Sequence, residues 1–484
     1  MANQSHPVSK DQRAVERTAA RPGAVLAVLS VAAFMASLDL FIVNVAFDEI
    51  GKDFDGVSLS DLSWVLNGYA IVYAALLVPL GRLADRFGRK QGFLLGLAVF
   101  TAASLACALA TGPWLLVGFR TLQAAGAALL TPTSLGLLVN ATPPAGRVRA
   151  VRIWAATGAL AAAVGPAVGG VLVEASWRWV FLVNLPIGIA AFAVAVRIVP
   201  RSRDEQVGRI PDLVGAAVLA LSIGTLSLAL VKAPDWGWGS TATLTSLAVS
   251  VLGAAVFAWR SLHHPLPVVE PALLKVRAFA WSNATSLLFS IAFAANLLVA
   301  ILWMQQVWGY SAIRTGLAIA PGPLMVPIFA AVAQSIAHRV PVGRIAALGC
   351  VLVACGSLLV LTSVGPEPQY VTEMLPGWLI GGIGVGFALP TILSAATSDL
   401  PADRSATGSA VVNMSRQLGT VLGVSILVAL VGKPIGYVAA HDAFQRVWLA
   451  VAVSAVLAAV AAIGMTPRST RAPEPLPSAA FEAA

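Results

Sequence analysis

Fourteen apolar runs, each about 17 to 27 residues long, divide the chain, and this succession constrains its fold more than any other feature. They occupy 23–47, 64–80, 92–111, 114–139, 152–173, 179–199 and 212–232 in the first part of the chain. They continue at 241–259, 279–303, 314–336, 344–364, 372–395, 405–431 and 446–464. At about 1.5 Å per residue, such a run as a helix is long enough to cross the roughly 30 Å hydrocarbon core of a bilayer. Hydrocarbon offers no water to peptide groups, so only helices and closed barrels cross it, and these runs lack the short alternating pattern of barrel strands. An all-α, polytopic membrane protein with 14 transmembrane helices is expected. Only 11% of residues are charged, against about a quarter in soluble domains.

The net charge of +9 would suggest nucleic acid in a soluble chain, but here its placement decides. The loops on the side of the N-terminus hold 23 Lys and Arg, the opposite loops hold 6, and two arginines lie inside runs. By the positive-inside rule both termini face the cytoplasm of a plasma-membrane protein, and an even number of spans agrees. No nucleic-acid partner is expected. Cys107, Cys350 and Cys355 all fall within spans and read as small hydrophobes, not as a disulfide framework or metal site. The first run has full span length and no small-residue cleavage site, so it reads as a retained helix.

Pro132-Thr133 recurs as Pro390-Thr391 and Pro143 as Pro401, all at an offset of 258 residues. In each copy the prolines are expected to end a long helix before a connection on the cytoplasmic side. A repeat of six spans leaves two over, giving a 6+2+6 layout. The divisions are a disordered tail over 1–22, a six-helix bundle over 23–200, a two-helix insert over 201–270, a second bundle over 271–465 and a disordered tail over 466–484. Internal repeats of this kind are common in secondary transporters, with the substrate path between them near the midplane. There is no GxxxxGK[ST] loop, so uphill transport would draw on an ion gradient or a separate protein.

The decapeptide GRLADRFGRK, Gly81 to Lys90, reads as a tight cytoplasmic turn between the second and third spans. Its Gly81-x-x-x-Asp85-Arg86-x-Gly88-Arg89 pattern resembles the loop motif of the major facilitator superfamily. Leu38-Asp39 with Ile42 to Ala46, Arg120-x-x-Gln123-x-x-Gly126, and Gly165-Pro166-Ala167-Val168-Gly169-Gly170 are similar to that family's first-, fourth- and fifth-span motifs. WRWVFLVNLPIG from Trp177 and QQVWGYSAIRTGLAIAPG from Gln305 resemble, more narrowly, its 14-span drug:proton antiporter subfamily. The likeness covers nearly the whole chain. It departs at Leu40, Phe41 and Asp48 in the first span, at Arg152 and Ala161 before the fifth-span motif, and at Ala337 to Val340, where the second copy of the loop motif has lost its aspartate.

The resemblance implies a major facilitator fold and proton-coupled export of hydrophobic or amphiphilic molecules such as drugs or antibiotics by alternating access. Gly81, Asp85, Arg86, Gly88 and Arg89 would form a conformational switch, with Asp85 latching onto the free amides of the thirteenth span near Ser405 to Thr407. Gly165, Pro166, Gly169 and Gly170 permit a bend and close packing, and by resemblance mark exporters. Asp39 is the one acid deep inside a span and is the expected proton carrier, because an ionisable group there is functional by default. It lies roughly 12 Å, and Arg120 roughly 10 Å, below the same membrane face, so the two can meet.

Arg416, with Asn413 and Gln417, forms a polar cluster about 16 Å into the thirteenth span. Asn44, Asn67, Gln123, Trp154 and Gln305 are further candidates for the substrate path. Trp64, Tyr69, Tyr73, Trp303 and Gln306 read more simply as cavity-rim or interfacial aromatic and polar residues. With Asp39 ionised the embedded charges leave a net +1, which suits neutral or anionic amphiphiles unless Glu373 contributes. His263-His264 has no partner at ligand spacing, so neither a metal nor another cofactor is expected. The expected partners are a small-molecule substrate, protons and the lipid bilayer, with the protein a monomer. Export of one metabolite, an amino acid or sugar, is the alternative, and a non-transporting membrane protein or an integral enzyme is a more distant one. No catalytic cluster of His, Asp or Ser supports an enzyme.

Overall fold

The structure, a computed structural model, describes residues 22–55, 57–202, 210–401 and 404–466. The predicted tails, apart from Pro22 and Thr466, and the middle of the connection at 203–209 lie outside the described residues. Among the described residues there is no strand, and 14 helices are long and apolar enough to cross a membrane. Spans 1 to 7 are Gly23–Asp53, Leu59–Phe87, Arg89–Ala108, Pro113–Ala141, Arg149–Ala175, Trp179–Ile198 and Leu213–Trp236. Spans 8 to 14 are Thr241–His263, Arg277–Val307, Ala312–Ile336, Val342–Ser363, Tyr370–Ser398, Thr407–Val431 and Tyr437–Ile463. Each overlaps one predicted run. Several helices, spans 1, 2, 9 and 14 most clearly, outrun their apolar segments by a turn or two because backbone hydrogen bonding continues into the headgroup region, where polar side chains are tolerated.

Two local expectations are corrected. The decapeptide is not a turn: span 2 stays helical through Phe87, and Gly88 alone, at φ 125°, breaks the chain before span 3. Only glycine adopts that backbone without strain, so one residue reverses the direction. Pro132 and Pro390 do not end their helices but lie inside Pro113–Ala141 and Leu375–Ser398. Thr133 donates to the Leu129 carbonyl and Thr391 to the Phe387 carbonyl, both at 2.7 Å. Each bond goes to the carbonyl next to the one that loses its amide partner to the proline, Ala128 and Gly386. The helices stop instead before Pro143 and Pro401.

The sequence repeat extends into the packing. A Cβ on Gly96 of span 3 would meet the Gly126 oxygen and Leu130 nitrogen of span 4, both at 2.9 Å. A Cβ on Gly349 of span 11 would meet the Gly384 oxygen at 2.5 Å and the Ala388 nitrogen at 2.6 Å in span 12. Gly126 and Gly384, like Leu130 and Ala388, stand at the same 258-residue offset as the prolines. In both halves a missing side chain lets two backbones touch, which is how helices associate when lipid removes the hydrophobic drive between them.

Span 7 crosses the seam between span 2 and span 13. Asn67 of span 2 donates to Ser227 of span 7 at 3.1 Å and to Ser425 of span 13 at 3.2 Å, and the two serine hydroxyls lie 2.8 Å apart. Nearer the face opposite the chain ends, Lys232 pairs with Asp61 at 2.6 Å and Asp235 with Lys433 at 2.9 Å. Toward the other face, Arg82 of span 2 reaches Glu270 and the Pro267 carbonyl in the connection after span 8. Span 8 packs on span 7 through Ser222 and through the Asp212–Arg260 pair, and turns Val251, Leu252, Trp259 and Leu262 outward. Ser227→Cys combined with Ser425→Cys is expected to cross-link spans 7 and 13 under mild oxidation. The gel shift of a chain nicked between spans 8 and 9 reads this out, and failure to cross-link would refute the placement of the insert.

Candidate functional site

Asp39 and Arg120, predicted to share a depth, form a direct ion pair in the first bundle. Asp39 is 0% and Arg120 1% exposed, so neither charge is relieved by solvent. The unpaired cost of such burial is several kcal/mol, and here it is met by a closed set of hydrogen bonds. One Asp39 oxygen accepts from the Arg120 guanidinium, and the other accepts from Gln123 Nε2 at 2.9 Å and Asn184 Nδ2 at 3.1 Å. Arg120 also donates to Gln123 Oε1 at 2.6 Å and to the Val65 carbonyl at 3.3 Å. Its guanidinium lies 4.1 Å from the centroid of the Tyr69 ring, with Phe181 at 5.7 Å on the same cation.

Ser104 ties this set together, accepting from Gln123 Nε2 at 2.8 Å and Asn184 Nδ2 at 3.3 Å. Spans 1, 2, 3, 4 and 6 all contribute. Gln123, expected on the substrate path, is wholly committed to this network and 0% exposed. Sequence reasoning missed Asn184 and Ser104. Asn184 lay in the WRWVFLVNLPIG stretch and carried a signal as a polar residue opening an apolar helix; Ser104 carried none, since a serine in a span is normally satisfied by its own helix. Ser104 does donate to the Phe100 carbonyl at 2.8 Å, but its acceptor lone pairs serve the site.

The Gly165–Gly170 stretch divides its contacts between two partners. A Cβ on Gly165 would lie 2.8 Å from Phe41 Cβ, and one on Gly169 would lie 2.9 Å from Ile42 Cγ1, both in span 1. Gly170 faces the other bundle: a Cβ there would sit 2.6 Å from the Ala312 oxygen and 2.8 Å from Ile313 Cα in span 10. Gly316 of span 10 reciprocates, since its Cβ would run into the Pro166 carbonyl oxygen and lie 3.0 Å from its carbon. Backbone therefore meets backbone across the bundles at the face opposite the chain ends. Gln305 closes the same face, its Nε2 donating to the Val45 carbonyl at 3.1 Å from within a π-helical turn, Trp303–Val307.

The remaining candidates are spread along the seam. Asn67 is held in the serine pair described above, and Asn44 donates back to the Leu40 carbonyl of its own helix at 2.8 Å. Trp154 Nε1 donates to Ser134 at 3.2 Å, linking spans 5 and 4. Asn413 donates to the Ser409 carbonyl at 2.9 Å, and Gln417 is buried. Glu373 accepts from the Gly365 amide at 2.8 Å, closing a turn at the membrane surface. Among the described residues the expected latch of Asp85 onto span 13 is not made: Asp85 accepts from Arg89 Nε at 2.5 Å. Arg89 reaches it across the Gly88 break, lying against Gly136 of span 4, while Arg86 stacks on Phe87. Gly81 lets span 2 approach Pro132, to which its Cβ would be 3.2 Å.

A family model for the Major Facilitator Superfamily matches residues 29–424. A methylenomycin A resistance protein of Streptomyces coelicolor is 32% identical over 407 residues, which are 84% of this chain and 85% of that protein. A tetracenomycin C resistance and export protein of Streptomyces glaucescens is 30% identical over 88% of this chain and 78% of its own. Among solved structures, a peptide transporter superposes with a TM-score of 0.65 at 17% identity, over 91% of this chain and 93% of that one. A D-xylose-proton symporter gives 0.65 at 13% identity, over 92% and 98%. With fourteen spans, glycine seams between paired bundles and a match along most of its length, the chain is a multi-pass membrane transporter and belongs to the Major Facilitator Superfamily.

Proposed function

We propose that the protein exports hydrophobic or amphiphilic small molecules, drugs or antibiotics among them, in exchange for protons by alternating access. The observation that carries this reading is the sealed Asp39–Arg120 pair. A buried ion pair is a poor source of stability, so its presence at membrane depth argues for use. The names of the relatives, resistance and export proteins for methylenomycin A and tetracenomycin C, support the direction and the substrate class. The lysine and arginine asymmetry argues for both termini in the cytoplasm, on which reading the contact of Pro166 and Gly170 with Ala312, Ile313 and Gly316 is an extracellular seal.

Coupling follows from adjacency in the chain. A proton on Asp39 removes the charge that holds Arg120 and frees span 1 to shift against span 4. Phe41 and Ile42, two and three residues further on, are the side of span 1 that Gly165 and Gly169 touch. One residue on, Gly170 of the same span 5 lies against span 10, so a displacement of span 1 reaches the seal through one helix. One proton entering down about 150 mV supplies roughly 3.5 kcal/mol, enough for a gradient of a few hundredfold.

The test is efflux from energised cells loaded with amphiphilic dyes of different charge, an anionic fluorescein, Hoechst and ethidium, each scored separately, with and without a protonophore. Export above the empty-vector rate that collapses on uncoupling is the expected result. Export that persists without a proton gradient would refute the coupling, and no export of any amphiphile would refute the function.

A further inference from the structure

Arg416 is the charge in the transmembrane region that the Asp39 network leaves over. Asp39 and Arg120 neutralise each other inside the first bundle. Arg416 stands three residues from the middle of Thr407–Val431, and that helix packs against Leu59–Phe87, at whose middle Tyr73 sits. Among the described residues its guanidinium makes no ion pair and donates to no carbonyl or side chain; the Thr420 hydroxyl donates to its backbone oxygen, which leaves the side chain uninvolved. Its side-chain nitrogens are also absent from the buried, unpartnered polar atoms, so on a half-buried residue they reach open space rather than protein. Arg416 thus carries its open donors at membrane depth, on the helix that packs against span 2.

The hydrogen-bond donors of Tyr73 and Asn413 are turned to other partners. Tyr73 donates its hydroxyl to Thr131 at 3.1 Å, and Asn413 spends its amide on the Ser409 carbonyl. Neither carries a counter-charge for Arg416. A lone cation at this depth is costly unless something of opposite sign joins it. A planar guanidinium with free donors is the group suited to a planar carboxylate, which it binds through two parallel hydrogen bonds.

We propose that Arg416 is the recognition point for an anionic group, a carboxylate or its equivalent, on an amphiphilic substrate held between Tyr73 and span 13. This rests on the export reading for its physiological use but not for its binding chemistry. A cationic amphiphile meets a net positive seam and is disfavoured.

Two dyes on one xanthene scaffold, anionic fluorescein and cationic rhodamine 6G, test it by fluorescence anisotropy on the purified full-length protein in neutral detergent. The wild type is expected to bind fluorescein at least about tenfold more tightly than rhodamine 6G, a difference of about 1.4 kcal/mol. Arg416→Gln is expected to abolish that preference and Arg416→Lys to keep it in weakened form, with monodisperse elution confirming that both fold. Rhodamine 6G binding as tightly as fluorescein in the wild type overturns the proposal without recourse to any variant. So does unchanged fluorescein affinity in Arg416→Gln. Fluorescein bound with the expected dependence on Arg416, but not exported from cells expressing the protein, would support the anion site and count against the export reading alone.

Discussion

Gly316→Leu is expected to reduce export to the empty-vector level while leaving the protein folded and in the membrane. A Cβ at this position collides with the Pro166 carbonyl of span 5, and even its nearest tolerable neighbour, Ala167 Cα, stands at only 3.3 Å. Both obstacles are backbone, so no side chain can rotate away, and the two helix ends must separate by more than an ångström. The bundles can still rest apart at this face, which is why the substitution traps a conformation rather than unfolding the chain. A membrane-impermeant maleimide should label Thr420→Cys, in a Cys355→Ser background, at least about tenfold faster in Gly316→Leu than in the parent, corresponding to about 1.4 kcal/mol in the conformational equilibrium. Gly118→Ala in span 4, where an added Cβ meets nothing within 4 Å, is the control and should export normally. Wild-type export by Gly316→Leu would show that this seam does not close during transport.

Asp39→Asn is the second large effect. It leaves Arg120 buried at 1% exposure with its charge uncompensated, and breaking a buried pair from one side costs about 3–5 kcal/mol. Export should fall to background and the yield of folded protein should drop. Combining Asp39→Asn with Arg120→Gln removes both charges, so the yield should recover while export stays absent. That contrast separates a structural pair from a coupling one. If Asp39→Asn exports at the parental rate under the same gradient, Asp39 is not the proton carrier; if the double variant exports, the pair serves the fold alone. Asn184→Leu, which removes one donor from Asp39, should lie between the parent and Asp39→Asn in export rate.

Long-period features survived the passage from sequence to structure. The number and order of the spans follow from hydrocarbon thickness, which sets a length the apolar runs must meet whatever their neighbours are. The meeting of Asp39 and Arg120 was also legible, because rise per residue converts position along two helices into a common depth. Features that depend on how helices rotate and tilt were not. The fifth-span glycines read as one motif, yet Gly165 and Gly169 face span 1 while Gly170, one residue further, faces span 10. A 100° step between consecutive residues separates those partners, and apolar sequence on all sides of a buried helix leaves its rotation unmarked.

The same division runs through the rest of the molecule. Composition and charge placement, read without coordinates, determined an all-helical membrane protein with a single deep carboxylate, because burying a peptide or a charge in lipid is costly wherever it occurs. Tertiary structure alone decided that span 7 closes the seam of spans 2 and 13, that Asp85 turns to Arg89 across Gly88, and that Ser104 and Asn184 complete the Asp39 site. Those are choices among hydrogen-bond partners of similar strength, and they are settled by which helices lie within 3 Å of one another rather than by the identity of any one residue.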